Sequence, residues 1–255
     1  MIPRKIHWCW FSGEELPKSI NVIIKGWHEL FPDFEIIKWD KEKYDKIPKK
    51  PKYVTDAFKQ KKWAFVSDFV RAYALNKEGG WYFDSDLQVI SPFLYKYENH
   101  RFVSAIEAFG ANNPKHDGIQ VQAAFLGSEK GHPYLKDIIK YYKTLDFEFD
   151  ESDYDNVLIA PVIYAKVLEK YGFNYDDCEQ TLDEDIFLLS WRNILPHMSH
   201  FIKIADKYVH IYAIHQCFHS WVEKSGISDK KIIFANKLRD ILERANGRIT
   251  VNKSQ

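Results

Sequence analysis

Hydrophobic residues at the start of the chain follow first a strand pattern and then a helical one. Ile2–Trp10 alternates loosely and is rich in residues that favour strands, and Phe34–Trp39 repeats this pattern. Between them, Pro17 opens a segment in which apolar residues recur at helical spacing, namely Ile20, Ile23, Ile24, Trp27 and Leu30. A strand, a helix and a second strand in this order are typical of an α/β sheet.

The next part of the chain predicts two helices followed by strands. Tyr53–Lys62 and Ala64–Asn76 have helical spacing, and Gly79 supplies the residue that favours a helix C-terminus. A short apolar strand, Trp81–Phe83, follows, and Leu87–Ile90 resumes extended structure.

The second half of the chain predicts further elements of both kinds. Strands are expected at Arg101–Ile106, Ile119–Gly127, Ile186–Leu189 and Tyr208–His215. Helices are expected at Tyr134–Leu145, Pro161–Tyr171 and Ile232–Asn246. Because no repeat or linker interrupts the pattern, we expect a single domain over residues 1–246 and a flexible tail over residues 247–255.

Composition and charge exclude several classes of protein. The 255-residue chain has 36 Lys and Arg against 36 Asp and Glu, without the basic excess of nucleic-acid-binding proteins. Its hydrophobic content, 45%, is too high for a disordered chain. No apolar run suits a transmembrane helix, and the N-terminus lacks the apolar centre of a signal peptide. We therefore expect a soluble, cytoplasmic protein that does not bind nucleic acid.

Aromatic residues and cysteines narrow the expectation further. Aromatic residues form 16% of the chain, and their flat rings suit a carbohydrate or nucleotide ligand as well as a core. The three cysteines include no C-x-x-C pair, which argues against a disulfide framework. His215, Cys217 and His219 alternate, a spacing that is open to a zinc site or to structural roles.

The strongest chemical signal is a pair of carboxylates that follows an apolar strand. Asp84 and Asp86 are two residues apart, so in extended structure their side chains would point to one side and reach one ion. Oxygen ligands of this kind suit Mg²⁺ or Mn²⁺. An ordinary polar turn at the strand end is the alternative.

A second pair of charged residues lies on the preceding helix. Asp68 and Arg71 are three residues apart and therefore share one helix face. A surface ion pair is the simplest interpretation, but the apolar neighbours Phe65, Phe69 and Ala72 indicate that this helix is buried. A charged pair beside a buried face indicates a functional role.

These residues together resemble glycosyltransferase family 32, which includes bacterial capsule and lipopolysaccharide glycosyltransferases, fungal mannosyltransferases and the glucosylating domains of clostridial toxins. The resemblance rests on three blocks in the correct order, spanning residues 2–221: Ile6-His7-Trp8-x-Trp10-Phe11-x-Gly13; Ser67-Asp68-x-x-Arg71 with Gly79-Gly80-x-Tyr82-x-Asp84-x-Asp86; and Tyr212-Ala213-Ile214-His215 with Ser220-Trp221.

The resemblance implies a GT-A fold, with a nucleotide-binding α/β sheet flanked by helices. It implies retaining transfer of a hexose from a nucleotide diphosphate sugar to a saccharide acceptor, with Mn²⁺ or Mg²⁺ as the cofactor. UDP-galactose and UDP-glucose are the favoured donors. Synthesis of a bacterial surface polysaccharide, on a saccharide or lipid-linked saccharide acceptor, is the implied setting.

The resemblance also implies roles for individual residues. Asp86 would bind the metal, with Asp84 serving the metal, the ribose or the donor sugar and His215 reaching the metal or the diphosphate. Asp68 and Arg71 would hold hydroxyls of the donor sugar. The other donor-binding residues would be Trp10, which stacks on the base or packs in the core, Tyr82, and Ser220 with Trp221. Asp84, Asp86 and Arg71 form the expected catalytic set.

The chain departs from the family pattern at one donor contact. Where the family often has an Asn-Ala pair, this chain has Gln122 and Ala123. The sequence also marks no nucleophile among its acidic residues, which favours front-face transfer over a covalent intermediate. Two other functions remain open: a metal-dependent phosphatase or phosphotransferase that uses Asp84, and a carbohydrate-binding protein without catalysis.

The stretch Lys41–Lys62 is rich in lysine and allows two interpretations. This stretch would either make a peripheral contact with the anionic inner surface of a membrane or form a solvated face of the protein. Its first part, Lys41–Lys52, contains two prolines and is expected to be a surface connector.

Overall fold

The computed structural model describes residues 1–108, 116–149, 157–195 and 210–217. The strands are β1 (Lys5–Cys9), β2 (Glu35–Trp39), β3 (Gly80–Phe83), β4 (Leu87–Val89), β5 (Phe102–Glu107), β6 (Gln120–Val121), β7 (Phe125–Ser128), β8 (Gln180–Leu182), β9 (Ile186–Leu189), β10 (Ile194–Leu195) and β11 (Ala213–His215). The helices are α1 (Lys18–Leu30), α2 (Lys41–Asp45), α3 (Lys52–Lys59), α4 (Trp63–Glu78), α5 (Leu94–Tyr97), α6 (Pro133–Tyr142) and α7 (Ala160–Leu168).

One mixed sheet runs through the molecule in the order β2-β1-β3-β7-β5-β9-β8, with β6 paired to β5. The pairs β1–β2, β1–β3 and β5–β9 are parallel, whereas β7 is antiparallel to both β3 and β5. Five strands, β1, β2, β3, β5 and β9, therefore point the same way. Their C-terminal ends meet at one edge of the sheet, which we call the C-terminal edge.

Helices cover both faces of this sheet, because each face carries its own hydrophobic core. One core joins the sheet to α3, α4, α6 and α7, and the other joins it to α1 and α5. This arrangement confirms the predicted α/β class with a sheet flanked by helices.

A smaller sheet lies beside the C-terminal edge. It has the order β10-β11-β4, and β4 and β11 are antiparallel, with Leu87 opposite His215. The pairing brings the chain around His215 next to the segment that leaves β3, although the two are far apart in sequence.

Helix α4 is buried on most of its surface, as its apolar sequence predicted. It packs between the sheet, α3 and α6. It ends at Gly79, which has a φ of 68° and donates its backbone N–H to the carbonyl of Leu75 at 2.7 Å. A left-handed φ favours glycine, so the predicted end of this helix is confirmed.

Several sequence expectations need correction. Lys41–Lys52 is not a plain connector, because Asp40 caps the short helix α2 by accepting from the backbone N–H of Lys43. Ile119–Gly127 is not one strand, since residues 122–124 separate β6 from β7. The short elements α5, β8 and β10 were missed. The terminal helix Ile232–Asn246 and the tail over residues 247–255 lie outside the described residues.

Four lysines in the region of Lys41–Lys62 pair with acids three or four residues away. The pairs with the shortest distances are Lys41–Asp45, Lys46–Glu42, Lys52–Asp56 and Lys59–Asp56. This local balance of charge favours the solvated-face interpretation. No helix in the described part of the chain is long and apolar enough to cross a membrane.

Candidate functional site

The functional residues expected from the sequence come from elements that end at the C-terminal edge of the sheet. Asp84 directly follows β3, Trp10 follows β1, and β4 and β11 bring His215 to the same place. In open α/β sheets, ligands bind outside the carboxyl ends of the strands. The topology therefore explains why residues from distant parts of the sequence meet there.

Asp84 and Asp86 lie in a turn and not in an extended strand, so the sequence argument about their shared side was wrong in its geometry. Asp84 still donates its backbone N–H to the carbonyl of Ala124 at 2.9 Å, which prolongs the β3–β7 ladder. The backbone N–H of Leu87 then bonds to the carbonyl of Asp84 at 2.9 Å and closes the turn. The turn brings both carboxylates to one site.

His215 completes this cluster from the smaller sheet. Its Nε2 lies 3.3 Å from Asp86 Oδ1 and 3.9 Å from Asp84 Oδ2. The contact is held by the β4–β11 pairing and by a backbone hydrogen bond of 3.1 Å from Gln216 N–H to the carbonyl of Asp86. Burial alone lowers the pKa of His215, but Cys217 and Asp86 raise it well above the ordinary value.

The three side chains offer a donor set that fits a divalent cation. One ligand atom from each of Asp84, Asp86 and His215 lies within 4.8 Å of the others. Ligands on opposite sides of an ion such as Mg²⁺ are about 4.2 Å apart. Two carboxylate oxygens and an imidazole nitrogen therefore need little movement to hold Mn²⁺ or Mg²⁺.

A buried arginine ties the helix α4 pair to this cluster. Arg71 Nη2 lies 2.8 Å from Asp68 Oδ1 and 3.2 Å from Asp84 Oδ1, and the Arg71 side chain is 4% exposed. Its Nη1 donates to the carbonyl of Ala123 at 2.5 Å, and its Nη2 to Ser67 Oγ at 3.3 Å. The surface ion-pair interpretation is therefore excluded, because this guanidinium is buried and fully engaged.

Burial dominates the electrostatics of this pair. It raises the pKa of Asp68 to about 7, although the neighbouring Arg71 acts in the opposite direction. Burial alone would lower the pKa of Arg71, but the carboxylates around it raise the pKa well above its usual value. The guanidinium is therefore a fixed positive charge beside Asp84.

Tyr82 is a second residue, besides Arg71, that holds the Asp84 carboxylate in place. Its hydroxyl donates to Asp84 Oδ1 at 2.7 Å, and its ring lies 4.8 Å from the Arg71 guanidinium carbon. Tyr82 is fully buried. In this structure its ring supports the arginine and its hydroxyl orients the carboxylate.

Of the remaining residues that the sequence predicted to bind the donor, the structure describes Trp10 but not Ser220 or Trp221. Trp10 is partly exposed, packs against the core beside α1, and donates its indole N–H to the carbonyl of Glu14 at 2.9 Å. It is not a fully buried core residue, and its exposed part remains available for stacking. Ser220 and Trp221 lie outside the described residues, as does His219 of the proposed zinc set.

The zinc interpretation receives no support from the described residues. Cys217 has a φ of 48°, so the alternation expected of a strand stops before it. Its sulfur lies 3.5 Å from His215 Nδ1, whereas the opposite ring nitrogen faces the two carboxylates. Within the described ranges, the possible metal-binding group that contains His215 consists of carboxylates and not of thiols.

Sequence reasoning missed Glu107 and Tyr164, which shape the site, and identified Gln122 only as a departure from the family pattern. Glu107 ends β5 at the same edge, and the hydroxyl of Tyr164 donates to the carbonyl of Asp68 at 2.7 Å. Gln122 is buried, and its Oε1 accepts from the backbone N–H of Ala124 at 3.0 Å. Glu107 and Tyr164 stand in no motif, so only the strand order and the helix packing reveal them.

Comparisons with known proteins assign the chain to a family. The family model described as capsular polysaccharide synthesis protein matches residues 1–246. No curated protein matches the chain.

Among solved structures, the chain is similar to three glycosyltransferases. They are the PaToxG glycosyltransferase (16% identity, 66% of this chain and 69% of that one, TM-score 0.46), the galactosyltransferase LgtC in complex with donor and acceptor sugar analogues (12%, 94% and 95%, 0.45), and a glycosyltransferase involved in glycosylation of the major capsid of PBCV-1 (9%, 84% and 93%, 0.46). The family match, which covers nearly the whole sequence, decides the assignment. This chain belongs to the capsular polysaccharide synthesis protein family.

Proposed function

We propose that this protein is a metal-dependent, retaining glycosyltransferase of the GT-A type that acts in capsular polysaccharide synthesis. The observation that carries the proposal is the meeting of Asp84, Asp86 and His215 beside the buried Asp68–Arg71 pair. The family model supports the biological setting, and its match over residues 1–246 agrees with one domain of that extent.

The carboxylate and imidazole cluster is proposed to hold Mn²⁺ or Mg²⁺, with Asp86 and His215 as the ligands nearest to each other. A cation held by these residues would supply positive charge against the negative charge of a leaving nucleoside diphosphate. Asp84 contacts both this cluster and Arg71, which fixes the orientation of its carboxylate.

The buried pair on helix α4 is proposed to recognise the donor sugar. Asp68 and Arg71 lie on one helix face, and charge-assisted hydrogen bonds from such groups read hydroxyl positions. The Asp68 side chain is 11% exposed and the Asp84 side chain 21% exposed. A hydroxyl that enters the site therefore meets carboxylates that the arginine already holds in place.

Front-face transfer is the proposed route to retention. The proton of the acceptor hydroxyl passes to the leaving phosphate while the new glycosidic bond forms on the same face. We assign Asp84 to the cation and not to nucleophilic attack, because Tyr82 and Arg71 hold its Oδ1 and its Oδ2 faces His215 of the cluster. A glycosyl adduct trapped on any carboxylate and detected by mass spectrometry would contradict this route.

The same contacts count against the phosphatase alternative, in which Asp84 would be phosphorylated. That role would compete with the contacts of Asp84, whose Oδ1 is held by Tyr82 and whose Oδ2 faces His215 of the proposed cation cluster. A binding protein without catalysis would not require a cation cluster beside a buried ion pair. The transferase proposal uses every one of these groups.

We propose a UDP-hexose, such as UDP-galactose or UDP-glucose, as the donor. The acceptor is proposed to be a saccharide, free or linked to a lipid. Trp10, at the end of β1, is proposed to stack on the base.

A thermal-shift screen tests this proposal. UDP, GDP and their hexose derivatives are added to the wild type with and without Mn²⁺, and the Asp86→Ala variant is measured in parallel. A ligand that binds only the folded state raises the melting temperature. We expect one nucleotide class to stabilise the wild type only with Mn²⁺, and Asp86→Ala to abolish that shift.

Glu129→Gln provides the matched control, because Glu129 is an acidic residue paired with Arg101 away from the cluster. It should keep the full ligand-dependent shift. If free hexoses shift the wild type without metal and no nucleotide does, the protein is a carbohydrate-binding protein and the proposal is wrong.

A further inference from the structure

Glu107 is a carboxylate at the C-terminal edge that the donor and the cation do not account for. It is the last residue of β5, and β5 runs in the same direction as β3 because both are antiparallel to β7. Glu107 therefore ends on the same edge of the sheet as Asp84. One strand, β7, lies between β3 and β5, so the axes of these two strands are about 10 Å apart where β7 pairs with both.

The chain between the ends of β3 and β5 carries two small residues. Ala123 and Ala124 lead into β7 between the two strands, and both are buried. The charges of His215, Asp84 and Arg71 all act on the pKa of Glu107, which burial raises. The strand directions and order place Glu107 on the edge of the sheet that carries the cation cluster.

Gln120 holds the Glu107 side chain in place. The two residues are directly opposite in the β5–β6 ladder, and Gln120 Nε2 donates to Glu107 Oε1 at 2.6 Å. Gln120 is 1% exposed, and among the described residues its Oε1 has no hydrogen-bond partner. Burying an amide with an unpaired oxygen is costly, and the other end of this amide fixes the orientation of the Glu107 carboxylate.

The order of strands along the edge divides the site into two sides. Trp10 lies at the β1 end, the cluster lies after β3, and Glu107 lies on β5, beyond β7. If the base stacks at Trp10 and the diphosphate lies at the cluster, the reacting sugar carbon faces the β5 side. The acceptor must then enter from that side.

From this arrangement we propose that Glu107 binds the acceptor sugar. Its carboxylate accepts a hydrogen bond from a hydroxyl group of that sugar, and Gln120 sets the orientation of the carboxylate. The inference rests on the proposed function, because it needs a donor on the other side of the cluster. An ionised carboxylate accepts hydrogen bonds only, which suits a sugar hydroxyl. Its distance from the base site makes Glu107 a determinant of acceptor and not of donor specificity.

The test separates acceptor binding from donor binding. Wild type and Glu107→Gln are loaded with UDP and Mg²⁺, and a panel of p-nitrophenyl hexosides is titrated while saturation-transfer NMR follows binding. We expect at least one hexoside to bind the wild type, and Glu107→Gln to weaken it about tenfold or more. The affinity for UDP with Mg²⁺ should stay within about twofold, and Glu129→Gln should change neither.

A second variant covers the case in which Glu107→Gln does not fold. Gln120→Met keeps the volume and removes the hydrogen bond to Glu107, and it should weaken the hexoside about threefold or more without changing UDP affinity. Three results would overturn the inference: equal loss of UDP and hexoside, an unchanged hexoside affinity in both variants, or no hexoside bound by a wild type that binds UDP. A wild type that binds no nucleotide with metal would instead contradict the proposed function.

Discussion

At the scale of single residues, the site depends on one buried guanidinium shared by several oxygens. Arg71 contacts Asp68, Asp84, Ser67 and the carbonyl of Ala123. The sequence predicted that Asp68 and Arg71 share a face and are buried, because spacing and apolar neighbours are local properties. It could not predict the bond to Ala123, which depends on how β7 lies beside β3.

Removing Arg71 should therefore destabilise the fold as well as the site. Arg71→Met leaves two carboxylates buried without their partner, and we expect a loss of about 3–5 kcal/mol in the free energy of unfolding, measured by urea denaturation. Arg4→Met is the matched control, because Arg4 pairs with Asp33 and Glu98 at the exposed surface. It should have little effect, and equal losses in both variants would contradict the account.

Two buried histidines should make stability depend on pH. His7 accepts from the indole N–H of Trp39 at 3.0 Å and contacts the carbonyl of Gly79 at 2.9 Å, so both ring nitrogens are occupied in the neutral form. Burial lowers the pKa of His7, and likewise that of His132. Below about pH 6.5 these histidines are protonated in the unfolded chain but stay neutral in the folded chain, so the folded state becomes less stable.

The contribution of His7 is therefore full above pH 6.5 and is lost as the pH falls towards its folded pKa. The raised pKa of Asp68 makes the protein more stable as the pH falls from about 7 to 4, which opposes the effect of His7. The test therefore compares the wild type with His7→Gln, because the contribution of Asp68 is common to both proteins. The stability advantage of the wild type over His7→Gln, from urea denaturation, should shrink between pH 7.5 and pH 5.5. A constant advantage over this range would count against a neutral His7.

At the scale of elements, periodicity predicted the long helices and the central strands, whereas short elements depended on tertiary contacts. Helix α1 and strands β1 and β2 lie within the predicted segments, and β3 begins one residue before the predicted Trp81–Phe83. The two-residue strands β6 and β10 carry too few residues for any period to appear. The prediction of an extended Asp84–Asp86 pair failed because strand pairing to β11 requires a turn between β3 and β4.

Close packing between β3 and β7 gives a test at this scale. Gly127 lies opposite Trp81, and a Cβ at Gly127 would stand 2.3 Å from the buried Trp81 ring. Gly127→Ala should therefore lower the free energy of unfolding by about 1–3 kcal/mol. Gly26→Ala is the control, because Gly26 lies within α1 with no heavy atom within 4 Å of the added Cβ. It should stabilise the protein by about 0.5–1 kcal/mol, and similar effects in both variants would contradict this packing.

At the scale of the whole molecule, the sheet order places Trp10, the cation cluster and Glu107 in succession along one edge. The sequence motifs predicted most members of this set but not their order. That order follows from β7, which enters between β3 and β5 and reverses direction. Strand order is a property of long-range pairing, and one sequence does not reveal it.

The position of Trp10 at the β1 end leads to a prediction about the nucleotide. Trp10→Ala should weaken UDP binding by about 1–3 kcal/mol, the range for a base stacked on an aromatic ring. Trp10→Phe keeps a flat ring and should lose less. Calorimetric titration with UDP and Mn²⁺ measures both, and an unchanged affinity in Trp10→Ala would remove Trp10 from the nucleotide site.

The central claim is that Asp84, Asp86 and His215 form a cation site that works together with a nucleoside diphosphate. Electron paramagnetic resonance of Mn²⁺ tests it most directly, because the signal of free Mn²⁺ falls when the ion binds. We predict that UDP strengthens Mn²⁺ binding to a single site in the wild type, and that Asp86→Ala abolishes this binding while Glu129→Gln retains it. Equal Mn²⁺ binding by the wild type and Asp86→Ala, or no binding with UDP present, would contradict the account.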